Sequence, residues 1–183
     1  MTYYGGKELA LSFRTVRANT IQIAEEIPES QYSFTAAPDV RPVGRLLVHI
    51  ALTPGFQLYV HQHSVSNMAT VPFLDLLGKF NAEEARPRSK ADIVDFLKTE
   101  GERFASYVEG LPESFLAEIV TMAPGAQPPV RSRLEMLLSP KEHEMHHRGQ
   151  LMLVQRMIGI VPHLTRQFQQ RVAAIQSAAP ARN

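Results

Sequence analysis

The residues best suited to chemistry in this chain are its histidines: seven occur, His49, His61, His63, His143, His146, His147 and His163. At about 100° of rotation per residue, His143 and His147 stand about 40° apart, one turn from each other on the same helical face, where two imidazoles can share an ion. Met136, Leu151, Val154 and Ile158 project within about 40° of His147, while His146 lies about 100° away. His143 and His147 therefore interrupt an apolar stripe, and His146 sits at its edge. The same substitution recurs upstream, where His49, Thr53, Phe56 and Val60 share a line with Leu46 and Leu52 beside it. Three inward imidazoles from two packed helices would leave coordination positions for water or substrate, as in a catalytic metal site. Burying them costs free energy unless their nitrogens find partners, and one shared cation satisfies several at once. The plain alternative is a set of core histidines that each hydrogen-bond a neighbour. His61, His63 and His163 read as surface or loop residues. Neutral imidazole suits zinc, nickel, iron or copper, so residue type alone does not select the metal.

His143, Glu144, Met145, His146 and His147 also match H-E-x-x-H, the zinc peptidase signature. The longer metzincin form needs a Gly and a further His, where Gln150 and Leu153 stand. The form with a downstream glutamate fails too, because no Asp or Glu follows Glu144. No credible strand lies beside the site to bind peptide by β-addition. Glu144 is left as a candidate to orient a ligand or take a proton from water. The competing reading is a solvated helix charge.

The elements that must position these residues are helical. Leu9, Phe13, Val16, Ile23 and Ile27, with Thr20 in the missing step, form an amphipathic pattern that Pro28 stops. A second helix is expected from about Val43 to about His61, kinked at Pro54. Val71 to Leu77 reads as a short helix closed by Gly78, followed by a polar connector to Arg88. Ser89 caps a third long helix that ends near Gly110. Leu111 to Val130 has a loop-like composition, with alternation too short to claim a sheet but compatible with some short extended structure. The fourth pattern runs from about Ser132 to Ile158. Pro140 either bends it or, with Ser139 and Glu142, restarts it. A weak last helix around Leu164, Phe168, Val172 and Ile175 leads into a tail, SAAPARN, expected to fray. These patterns predict an all-α four-helix bundle with short extra helices in its connections, an architecture that places metal sites in its core.

With 183 residues, 44% of them hydrophobic, the chain can bury one substantial core and is short for two domains. Residues 1–183 are read as a single domain. Nineteen basic against eighteen acidic residues leave a net charge of +1, so charge gives no support for nucleic-acid binding. The absence of cysteine excludes disulfides, thiolate zinc sites and a Cys nucleophile. The amino terminus has no signal-peptide core and no stretch approaches membrane-span length, so a soluble cytoplasmic protein without membrane partners is expected.

Two segments carry a resemblance. GRLLVHIA, Gly44 to Ala51, resembles the start of the second helix of the DinB/YfiT-like metalloenzymes, with His49 at the first ligand position. EHEMHHRGQL, Glu142 to Leu151, resembles that family's strongest motif, with His143 and His147 at the other two ligand positions. The resemblance covers about residues 7–162 and leaves 163–183 as a C-terminal extension. It implies a bacterial four-helix bundle, often a homodimer, whose three histidines hold a divalent metal with open positions. Nickel or zinc is the commonest description, with iron or manganese as further candidates. It also implies a small-molecule substrate or a thiol cofactor, since relatives include bacillithiol- and mycothiol-dependent transferases. Arg148, Gly149 and Gln150 match the motif as well, with Gly149 on the face opposite the ligands, suited to close packing. Two function classes follow: a metal-dependent hydrolase or thiol transferase, and a non-catalytic bundle tied together by its ion. A closed fourth ligand would favour the second.

Overall fold

The computed structural model describes residues 4–178. In chain order the elements are α1 (Gly6–Glu26), α2 (Val43–Leu52), α3 (Pro54–Gln62), α4 (Phe73–Glu84), α5 (Lys90–Glu109), α6 (Glu113–Leu116), β1 (Ile119–Thr121), β2 (Val130–Ser132), α7 (Arg133–Met157) and α8 (His163–Ala178). The bundle is built from α1, the α2–α3 pair, α5 and α7. No helix among the described residues is long and apolar enough to cross a membrane.

The α1 stripe is buried as its spacing predicts. Phe13 meets Phe104 of α5 edge-on at 4.7 Å, and Thr20 satisfies its hydroxyl on the Val16 carbonyl. The start of α1 lies so close to the end of α5 that a Cβ on Gly6 would collide with the Val108 carbonyl oxygen. Ser89 caps α5 by accepting from the Asp92 amide, and Asp92 returns a bond to the Ser89 amide.

The two prolines act differently. Pro54 splits the expected second helix into α2 and α3, although Thr53 at the joint keeps helical dihedrals, so the chain continues in the same sense. Lacking an N–H, Pro54 leaves the Ile50 carbonyl without its helical partner, and the Arg17 guanidinium donates to that oxygen at 3.3 Å. Pro140, in contrast, neither ends nor restarts α7. The helix begins once, at Ser132, whose Oγ accepts from the Glu135 amide, and runs through Pro140 to Met157.

Two further expectations need correction, and the structure fills in the segment after Leu111. Gly78 does not close a short helix: α4 passes through it and reaches Glu84. The loop-like segment after Leu111 contains α6 and a small antiparallel ladder, with Ile119 opposite Ser132 and Thr121 opposite Val130. Its strands are three residues each, below the length at which alternation is readable. His61 and His163, read as surface residues, are both 1% exposed, whereas His63 is exposed as expected. α8 follows the weak last pattern as far as Ala178, and the rest of the tail lies outside the described residues.

Candidate metal centre

α2 delivers His49 and α7 delivers His143 and His147 to one point. His143 Nε2 lies 3.2 Å from His49 Nε2 and 3.1 Å from His147 Nε2. One nitrogen from each ring falls within 4.8 Å of both others, and no fourth His, Asp or Glu joins this group among the described residues. His146 stays at the edge, exposed, with its ring 5.0 Å from that of His147.

The outer nitrogens decide which way the inner ones present themselves. His49 Nδ1 lies 3.2 Å from Glu84 Oε2, and His147 Nδ1 lies 2.7 Å from Gln150 Oε1. Both partners can only accept, so each ring carries its proton on Nδ1 and turns an Nε2 lone pair toward His143. A neutral His143 can give at most one Nε2 proton to two such lone pairs, and its own buried Nδ1 has no partner among the described residues. The cluster thus has more lone pairs than protons at its centre, a deficit a cation would fill. The spacing agrees, since metal–nitrogen bonds of ~2.1 Å put neighbouring ligand nitrogens ~3.0–3.4 Å apart. The donor set therefore fits a first-row divalent ion.

Electrostatics keep the rings neutral. Burial, then the neighbouring His147 and His49, push His143 down to about 4. Burial lowers His49, helped by the Arg41 charge and opposed by Glu84. Burial also lowers His147, partly offset by its bond to Gln150. Burial works against the Glu84 carboxylate, but the Arg41 hydrogen bond and the charges of Arg41 and Arg45 outweigh it and hold Glu84 below its usual value. Arg41 Nε donates to Glu84 Oε1 at 2.8 Å, and Arg45 reaches the same oxygen at 3.2 Å.

Glu84 is the residue beside the cluster that the sequence did not reveal. It is 4% exposed and sits in the last turn of α4, six residues beyond Gly78. Glu144 does not take the role considered for it. Both its oxygens accept from Arg17, and it makes no hydrogen bond to the three histidines. Adjacent to His143 in sequence, it faces the bundle interior instead. With Glu144 turned away from the cluster, the H-E-x-x-H match loses the glutamate its peptidase reading needs.

The cluster opens on two sides. A pocket of about 360 Å³ is bounded by His49 and His143, by Phe56 and Gln57 of α3, and by Phe73 and Phe80 of α4. Another, of about 320 Å³, lies on the His147 side beneath the segment containing Phe34 and Val40. Arg41 borders both.

The fold is similar to that of YfiT from Bacillus subtilis, described as a probable metal-dependent hydrolase with an unusual four-helix bundle topology. The TM-score is 0.66 at 11% identity, covering 87% of this chain and 91% of that one. A DinB-like protein from Bacillus subtilis matches with a TM-score of 0.61 at 22% identity, covering 83% of this chain and 92% of that one. No curated protein sequence matches significantly. The family model of the DinB superfamily matches residues 12–151, which span α1 to most of α7 and include all three clustered histidines. The chain belongs to the DinB superfamily.

Proposed function

We propose that His49, His143 and His147 hold one divalent metal ion through their Nε2 atoms, and that the protein is a metal-dependent hydrolase acting on a small molecule bound beside it. The observation that carries this reading is the convergence of three Nε2 atoms whose ring orientations are set from outside by Glu84 and Gln150. A bound ion would supply Lewis acidity, lowering the pKa of a water toward 7 and providing a nucleophile at neutral pH. Glu84 holds the Nδ1 proton of His49 and raises the basicity of its Nε2. Arg41 balances the Glu84 charge and presents a cation at the mouth of both pockets. Phe56, Phe73 and Phe80 give the larger pocket an apolar wall that excludes water around a substrate. That no fourth His or carboxylate joins the cluster among the described residues supports a catalytic rather than purely structural centre.

Elemental analysis of tag-free protein, followed by a hydrolase substrate screen with the metal-loaded form, tests the proposal. Stoichiometric divalent metal and metal-dependent turnover of an ester or amide are expected. Metal that persists in the His143→Ala, His147→Ala double variant would overturn the ligand assignment. A cobalt-substituted site whose spectrum responds to low-molecular-weight thiols, with conjugation of an electrophile but no hydrolysis, would replace hydrolase by thiol transferase.

A further inference from the structure

A second polar assembly, joined to the larger pocket through Gln57, is not used by the metal centre. Arg133, the first residue of α7, is 2% exposed. Its Nε donates to Glu118 at 2.8 Å, and its guanidinium stacks 4.5 Å from the centre of the Phe115 ring. Its Nη1 lies 3.2 Å from His61 Nδ1. An arginine can only donate, so His61 Nδ1 must accept and, in the neutral ring, the proton sits on Nε2. Burial and the Arg133 charge hold His61 down to about 4, which keeps it neutral. His61 Nε2–H then donates to Gln57 Oε1 at 3.1 Å.

The consequence falls on the Gln57 amide. With Oε1 committed to His61, its NH₂ is left on the pocket wall, where its one bond among the described residues is a long 3.4 Å contact to Ser139 Oγ. A bond of that length is weak and leaves donor capacity unused. Arg41 and Asn81 also line this pocket: Arg41 is tied by Nε to Glu84, while neither its terminal nitrogens nor the Asn81 side chain makes a hydrogen bond among the described residues. Glu84, the one carboxylate bordering the pocket among the described residues, already serves Arg41, Arg45 and His49. The pocket thus offers hydrogen-bond donors set in an aromatic wall.

We propose that Gln57, oriented by the Arg133–His61 relay, is a specificity-determining residue that with Arg41 selects a small molecule having an apolar body and an acceptor oxygen, either a carboxylate or the carbonyl of its amide or ester. This deepens the hydrolase reading by naming its substrate class, and it concerns the pocket rather than the ion. Gln57 contacts the ligand. His61 and Arg133 are positioning residues that act through it.

Calorimetric binding to the full-length protein tests this with three probes of one shape: 3-phenylpropanoate, 3-phenylpropanamide and 3-phenylpropylammonium. The titrations are run on EDTA-treated and on zinc-loaded protein. In the metal-free protein both acceptor probes are expected to bind at least about 5-fold more tightly than the ammonium, as expected for one or two hydrogen bonds. Gln57→Leu should weaken both acceptors about 3–10-fold, and Gln57→Glu should reverse the preference toward the ammonium. Arg41→Met should remove the advantage of the carboxylate over the amide. The tautomer has its own readout, since long-range ¹H–¹⁵N correlations of His61 should show a protonated Nε2 and an unprotonated Nδ1. Equal affinity for the three probes in metal-free protein, Gln57→Leu and Gln57→Glu variants that bind like the parent, or an Nδ1-protonated His61 would each overturn the proposal. Zinc uptake in the same samples reports on the metal reading separately. Selective binding without stoichiometric zinc would sink the hydrolase and keep the pocket, and zinc uptake without selectivity would do the reverse.

Discussion

His143 and Glu144 are neighbours in α7, yet they belong to opposite kinds of polar environment. Glu144 is 1% exposed and meets Arg17, 4% exposed, through both carboxylate oxygens. Arg17 spends its remaining donors on the Leu97 carbonyl at 2.6 Å and on the Ile50 carbonyl that Pro54 frees. A Cβ on Gly101 would meet Arg17 Cγ at 2.8 Å, so a glycine in α5 makes room for this side chain. Every group in that network has its partner inside the protein, and it joins α1, α2, α5 and α7. The histidine cluster is the reverse: its outer nitrogens at His49 and His147 are satisfied by the chain, while its inner nitrogens have only each other. A closed polar network fixes a fold, whereas one completed on the outside and deficient at its centre is prepared for something the chain does not supply.

The sharpest way to break this comparison is to cut the closed network. Glu144→Ala strands a buried guanidinium and is expected to cost about 3–5 kcal/mol in urea unfolding, while an Arg17→Met, Glu144→Leu pair should recover most of it. At 25 °C the folded fraction of either variant should still take up metal, because neither residue touches the cluster. Had Glu144 been the base of a peptidase site, the same change would spare stability and abolish activity.

Acid gives the next largest effect. His61 is neutral in the fold down to about 4, but titrates near 6.5 once unfolded. Below pH 6.5 the unfolded chain therefore binds protons that the native one does not, and stability falls with pH until the folded value is reached. The loss from His61 alone should come to ~3 kcal/mol between pH 6.5 and 4, at 1.36 kcal/mol per pKa unit. Urea midpoints across that range check this, and His61→Leu should flatten the slope by its share.

Glu84→Gln tests the cluster's outer support. It keeps the shape but removes the charge that holds the His49 proton, and about 10–100-fold weaker metal binding is expected in competition with a chelator. Retained affinity would make Glu84 a structural partner of Arg41 alone.

These residues also mark where the sequence was readable. The long helices and the inward turn of His49, His143 and His147 follow from apolar periodicity, which the burial of Leu9, Phe13, Leu46, Leu151 and Val154 reproduces. Glu84 was hidden because α4 turns Phe73, Leu77 and Phe80 to a pocket rather than to the core, so its pattern looked like a short helix ended by Gly78. The roles of Glu144, His61 and His163 depend on partners far away in the chain: Arg17, Arg133 and Asn19. Periodicity could have flagged His61, which follows buried Pro54 and Leu58 at helical spacing. Its donor and acceptor pattern could not be foreseen without Arg133.

The smallest expected effect concerns Gly149. Its sequence position suggested close packing, but a Cβ there would meet nothing within 4 Å. Gly149→Ala should stabilise the monomer by roughly 0.5–1 kcal/mol through helix propensity. A destabilised variant with weakened self-association would instead place a second copy of the chain against this face.

The most direct measurement of the central claim is a zinc and nickel titration of metal-free protein, comparing the parent with His49→Ala, His143→Ala and His147→Ala. One tightly bound ion per chain, lost in each single variant while far-UV circular dichroism stays helical, is the predicted result. Uptake that is absent in the parent, or unchanged in the variants, would contradict it.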